Sequence, residues 1–249
     1  MIGDFAAAVA FLTRLPIGRR IEFDEKRVAR AARWFPLVGA MLGAFSVGLL
    51  RLAGPVFPPL VVAALLVALE TLFTGVLHLD GLADTADGFG AGRTREDTLR
   101  IMRDHAIGSY GGAALALALV LKVAAIGALI EAGRAAGALL AAPAIGRWSA
   151  VLLMATQPYA REGASPARFV GRVEMAVASV SAVAIVAAVV VGLTEPWRGG
   201  AALATAGLVA AGWGWRCRRR IGGITGDTLG AAVVMTECLV LMEFVAGAR

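Results

Sequence analysis

Apolar stretches about as long as a membrane is thick recur along this 249-residue chain, and no other feature limits its fold so tightly. A helix crosses the hydrocarbon core in roughly 17 to 25 apolar residues, and it does so as a helix because every backbone N–H and C=O must be paired where no water is at hand. Seven segments qualify, at about 35–52, 57–77, 107–129, 136–155, 175–193, 201–215 and 226–245. The first and sixth are short, so six full spans are also compatible with the pattern. Strand-period alternation is absent, which argues against a barrel. With 59% hydrophobic and 17% charged residues, the chain lacks the polar surface a soluble globule of this size needs. The expected fold is therefore all-α: a polytopic membrane protein of about seven transmembrane helices. One domain covers 1–249, with residues 1–34 as an interfacial arm and 35–249 as the transmembrane bundle. In the arm, the apolar run Phe5 to Leu12 is too short to span and is closed by Pro16, and a charged stretch follows it.

Basic residues set the orientation. With the N-terminus in the cytoplasm, that side collects eighteen Lys and Arg, seven in 14–33, four in 93–103, three in 161–172 and four in 216–220. The other side keeps Arg51, Arg134, Arg198 and Arg249, and Lys122 and Arg147 fall inside spans. So strong a bias predicts an inner-membrane, multi-pass protein with N-terminus and active site cytoplasmic and C-terminus opposite. The net charge of +6 then reflects topology and contact with anionic lipid, and nucleic acid is not an expected partner. Cys217 and Cys238 lie at different depths and are expected to be free thiols.

The densest acidic cluster is Asp80, Asp84 and Asp87, in the run His-Leu-Asp-Gly-Leu-Ala-Asp-Thr-Ala-Asp-Gly at the cytoplasmic exit of the second span. At about 100° per residue, Asp84 stands roughly 40° to one side of Asp80 and Asp87 roughly 20° to the other, so the three share a helix face. Like charges at this spacing repel, which points to a cation among them. Carboxylates without Cys or a His pair suit Mg²⁺ better than zinc; the alternative is a solvated acidic helix end. Asp227 enters the last span on the same side, after a turn of Gly222, Gly223, Ile224, Thr225 and Gly226. Such a turn before a helix N-terminus can cradle phosphate, although glycines also simply let a chain turn.

Residues 78–88 resemble the HLDGLADTxDG signature of the cobalamin synthase family (adenosylcobinamide-GDP ribazoletransferases). Further stretches resemble that family in its order: Phe-Leu-Thr-Arg-Leu-Pro at 11–16, Phe-Pro-Leu-Val-Gly at 35–39, Ile-Met-Arg-Asp at 101–104 with Ile107-Gly108, and Gly-Gly-Ile-Thr-Gly-Asp-Thr-Leu-Gly at 222–230. The resemblance implies a Mg²⁺-dependent transferase of late cobalamin biosynthesis. It would join adenosylcobinamide-GDP to α-ribazole, or its 5′-phosphate, and release GMP. On that reading Asp80, Asp84 and Asp227 are metal ligands, and Asp87 is a further ligand or the base that accepts a ribose hydroxyl proton. Asp104 is another candidate for the base. Arg100 and Arg103 would hold phosphate oxygens, and Gly222, Gly223, Thr225 and Gly226 would approach the diphosphate or guanosine. A homo-oligomer is left open.

Other ionisable groups sit at membrane depth. By helical rise, Glu70 and Glu237 lie about 15 Å below Asp80 and Asp227, and an ion-paired group with Arg147 is expected. Lys122 has no evident partner, and Glu243 is expected to snorkel to the far interface. His78 and His105 are the two histidines, and either could be a base or orient a carboxylate. Trp148, Trp197, Trp213 and Trp215 read as interface anchors. A CDP-alcohol phosphotransferase would share the Asp-Gly start of its motif at 80–81, with Ala83 nearby, but that motif is broken at Asp84. A transporter using Glu70, Lys122, Arg147 and Glu237 would need inverted repeats that the sequence does not show.

Overall fold

The computed structural model describes residues 2–18, 25–104, 106–161, 182, 186 and 196–246. Among these residues the chain is helical without a strand: α1 (Ile2–Leu12), a short 3₁₀ turn (Pro16–Gly18), α2 (Glu25–Ala32), α3 (Phe35–Ala53), α4 (Pro59–Thr74), α5 (Leu77–Ala91), α6 (Arg95–Ile101), α7 (Ser109–Glu131), α8 (Ala135–Thr156), α9 (Pro196–Ile221) and α10 (Gly226–Ala246). Four of them, α3, α7, α8 and α10, are long and apolar enough to cross a membrane, and α4 with α5 would make a fifth if counted as one broken span. The expected fifth segment, 175–193, lies outside the described residues apart from Ala182 and Val186, and His105 lies outside them too. The sixth falls within α9, which is 26 residues long but is not among the helices apolar enough to be counted.

The core is built on α8, whose buried face runs from Ala135 to Leu153, with α3 and α10 as its main partners. Small residues make the close approach possible, the usual solution where lipid supplies no hydrophobic drive between helices. On α10, Gly230 meets α5 at His78 and Gly81; a Cβ added at Gly81 would sit 2.7 Å from the Asp227 carbonyl oxygen. This crossing fixes the acidic helix against the start of α10.

The second expected span does not run straight into the acidic cluster. α4 stops at Gly75, in the left-handed region (φ 61°), where glycine carries no Cβ penalty, and Val76 follows in the same region (φ 66°). α5 then leaves at 88° to α4. With 15 residues and three aspartates, α5 is no spanning segment by itself. The depth inferred for Glu70 from a continuous helical rise is corrected accordingly: the axis turns before Asp80 is reached.

The N-terminal arm packs onto the bundle. Ala7, Ala8, Val9 and Leu12 are buried, Phe11 stacks on Phe35 (centroids 5.6 Å apart), and Asp4 pairs with Arg30 of α2 at 3.2 Å. Glu243 does not snorkel; it accepts a hydrogen bond from Thr205 on α9. Trp148 and Trp213 are not interface anchors either. Trp148 is buried inside α8, and the Trp213 indole N–H donates to the Thr228 carbonyl at 2.9 Å while its ring stacks on Phe89. Trp197 and Trp215 are exposed, and both cysteines are free.

Candidate functional site

The broken helix turns the acidic face of α5 toward the N-terminus of α10. Asp80 is exposed, Asp84 and Asp227 are half-buried, and Asp87 is buried. The Asp84 carboxyl is pushed up from 3.8 to about 6, first by burial, then by the charges of Asp80 and Asp227, with Arg161 acting the other way. Asp80, Asp84 and Asp227, from two helices, therefore form one electrostatic group.

Asp87 faces elsewhere. Its carboxylate accepts from the Gly108 N–H at 2.7 Å and the Gly111 N–H at 2.9 Å, pairing orphan donors at the start of α7 and placing a negative charge at its positive end. Both oxygens are thereby engaged in joining α5 to α7. Asp104 is exposed and accepts from the Ala106 N–H at 3.1 Å.

The cation nearest these carboxylates among the described residues is one that sequence reasoning counted only as loop charge. Arg161 donates to Asp227 at 2.6 Å. It is delivered by a small backbone device: the Ala160 N–H donates to the Ile224 carbonyl, and the Ile224 N–H to the Pro158 carbonyl, both at 2.8 Å. The two chain segments are thus clipped side by side at Ile224, three residues before Asp227. No local spacing could have shown this, because the partners are 66 residues apart.

The other basic residues divide by use. Arg95 donates to the carbonyls of Ile221 (2.9 Å) and Ala160 (2.8 Å), and Arg220 to those of Gly92 and Phe89. These guanidinium groups clamp α6, α9 and the 158–161 segment into one rim. Arg100 pairs with Asp97 at 2.5 Å and stays largely exposed; Arg103 is exposed as well.

The glycine turn is less open than a phosphate cradle would be. Gly222 takes the left-handed conformation (φ 85°), and Thr225 and Thr228 cap α10 reciprocally, the Thr225 N–H donating to the Thr228 hydroxyl at 2.8 Å. Gly223 packs against the Pro158 backbone. That leaves the N–H groups of Gly226 and Asp227 without a protein partner among the described residues, at the positive end of a 21-residue helix.

Beneath this rim lies a cavity of about 160 Å³, walled by α1, α2, α3, α5, α8 and α10. Asp80 and Asp227 belong to its lining, as do His78 and Arg147 further in. Deeper still, Lys122 pairs with Glu70 (2.7 Å) and Glu237 (2.8 Å), while Arg147 pairs with Glu237 and, at 3.5 Å, with Glu70. The expected triad is a charge-balanced tetrad, and Lys122 has its partners.

A model of the cobalamin-5-phosphate synthase family matches residues 4–246. The chain belongs to this family. An adenosylcobinamide-GDP ribazoletransferase of Klebsiella pneumoniae strain 342 is 41% identical over 247 residues, covering 97% of this chain and 99% of the relative. One from Ralstonia nicotianae is 43% identical over 249 residues (96% and 93%), and one from Escherichia coli is 38% identical over 244 residues (96% and 97%). No solved structure matches. Membership makes this chain a membrane-embedded transferase of cobalamin biosynthesis.

Three neighbouring carboxylates, two of them (Asp84 and Asp227) with a proton affinity raised first by burial, have the chemistry a hard divalent cation satisfies. Among the described residues no three His, Cys, Asp or Glu side chains already converge as a metal site, and Asp227 is held by Arg161.

Proposed function

We propose that this protein is an adenosylcobinamide-GDP ribazoletransferase that works with Mg²⁺ on the cytoplasmic face of the inner membrane. The observation that carries the reading is the meeting of Asp80 and Asp84 with Asp227 beside Arg161, on a chain whose relatives across nearly their whole length bear that name.

The reaction is a displacement at phosphorus. A ribose hydroxyl of α-ribazole, or of its 5′-phosphate, attacks the phosphorus attached to the aminopropanol arm of adenosylcobinamide-GDP. A phosphodiester bond forms, the diphosphate P–O bond breaks, and GMP leaves with the bridging oxygen. Little covalent chemistry is required of the protein, so its task is position and charge. Asp80 and Asp227 would hold Mg²⁺, an ion that commonly takes one or two carboxylates together with substrate phosphates. When bound, it would neutralise the diphosphate and the departing phosphate. Asp84, whose carboxyl is pushed up to about 6 first by burial, takes the hydroxyl proton. Arg161 is placed to exchange Asp227 for the incoming diphosphate, and the free N–H groups of Gly226 and Asp227 offer a second contact for phosphate oxygen. Asp87 holds the frame of α5 on α7.

The test is direct: purified protein in detergent or liposomes, given adenosylcobinamide-GDP, α-ribazole and Mg²⁺, should release GMP and form the corrinoid product, and should stop when the cation is chelated. Turnover that persists in excess chelator would remove the metal; no product with either form of ribazole would remove the function.

A further inference from the structure

We infer that the cavity below Asp80 and Asp227 seats the aromatic base of the nucleoside co-substrate, so that its sugar emerges at the carboxylates. This rests on the proposed reaction and adds to it where the acceptor binds. The cavity opens at the exposed Asp80 and half-buried Asp227 and runs inward to Arg147, which is 1% exposed. Between them the walls are apolar: Phe11 and Phe35, parallel to within 6°, Leu77, Ala150, Met154 and Val233. Its volume of about 160 Å³ decides among the candidates. An apolar cavity of about 150 Å³ admits a benzene ring, so the six-membered ring of a bicyclic base fits with the five-membered ring left at the opening, whereas a corrin does not fit at all.

Guanine is excluded on chemistry. Its edge carries several donors and acceptors, and an apolar cavity would strand most of them at a cost of a few kcal/mol each. The dimethylbenzimidazole of α-ribazole has two methyl groups and a single free ring nitrogen, and for that the lining is suited. His78 is 9% exposed, lines the cavity and makes no hydrogen bond to another described residue. The Arg147 Nε is buried without a partner. Two polar groups are thus held available inside an otherwise apolar space, although a buried polar atom ordinarily finds a partner. One can meet the ring nitrogen and the other the face of the ring.

The experiment fills the cavity and reads both substrates. Ala150→Leu places added methyl groups inside it, and Met154→Phe, at a half-buried position, is a second variant better tolerated by the fold. Each should raise the KM for α-ribazole by about tenfold or more, the scale of a methylene-sized misfit, with the KM for adenosylcobinamide-GDP unchanged within about twofold. The α-riboside of unsubstituted benzimidazole should recover most of the loss in Ala150→Leu, which general damage to the fold would not allow. Unmoved KM values in both variants, or a rise confined to adenosylcobinamide-GDP, would overturn the proposal. Binding of α-ribazole, followed by its ring fluorescence, needs no turnover. Binding by the parent without GMP release would sink the proposed reaction alone, while no binding, or binding equal in parent and variants, would sink the cavity assignment.

Discussion

Three carboxylates within two turns of α5 do different work because the fold gives each a different neighbour. Asp80 is open to solvent and faces the start of α10, so its charge is available to a cation. Asp80→Asn keeps the volume and removes the charge, and GMP release should fall by at least about a hundredfold while the protein still inserts and purifies. Normal turnover in that variant would end its assignment to metal. Asp84 sits between Asp80 and Asp227, and the folded protein holds its proton more tightly than the unfolded chain does. Stability from this group is therefore complete below pH 3.8 and is lost as pH rises through about 6. Two measurements follow. Thermal stability of cation-free protein should fall between about pH 4 and 6 and be restored by Mg²⁺, and kcat/KM should decline below about pH 6 as the base is protonated. A rate that stays level to pH 5 would exclude Asp84 as the base. Asp87 was legible as an acid but not as a cap, since its partners, Gly108 and Gly111, lie 21 and 24 residues on. Asp87→Ala should cost about 1–3 kcal/mol of stability through two unpaired donors, the one at Gly111 buried, seen as a lower melting temperature.

Among the elements, the break between α4 and α5 matters most to the site, and sequence periodicity does not reveal it. Residues 57–77 are apolar apart from Glu70, Thr71 and Thr74, and a single Gly75 is weak evidence of a turn when 31 glycines are spread along the chain. The left-handed Val76 is what the packing imposes, and a β-branched residue there carries strain. The ion tetrad behind the break was half legible. Intramembrane charge demands partners, which singled out Glu70, Arg147 and Glu237, but which helix brings Lys122 to them depends on the packing of α7 against α4 and α10. Two acids and two bases cancel, so removing one strands another. Lys122→Met should destabilise by about 3–5 kcal/mol, whereas adding Glu70→Gln to it should return part of the loss. A double variant as unstable as the sum of the singles would show that the tetrad is not a coupled unit.

At the scale of the molecule, membrane class and the sidedness of charge are legible because composition and basic bias are properties of whole segments, insensitive to packing detail. The family motifs add the acidic cluster and Asp227, but Arg161 and the cavity arise only when distant segments meet. The structure gathers at one rim α5, α6, the start of α7, the end of α9, the start of α10 and the 158–161 segment, joined by the Arg95 and Arg220 clamps. These are the segments that the basic bias assigns to the cytoplasm. α9 supplies a ruler for that assignment: its 26 residues span about 39 Å by helical rise, with the Arg216 to Arg220 cluster near one end and Gly200 near the other. Cysteine can be placed at Arg219 and at Glu96, both exposed on the rim, and at Gly200, where an added Cβ meets nothing within 4 Å. In a background without Cys217 and Cys238, an impermeant thiol reagent applied to intact cells should label Gly200→Cys and spare the other two until the membrane is opened. The opposite pattern would set the carboxylate rim outside the cytoplasm, away from a nucleotide-linked substrate, and the orientation would have to be reversed. Labelling of both Arg219→Cys and Gly200→Cys from one side would mean instead that α9 lies along the membrane, and the basic bias would then be an effect of lipid contact alone.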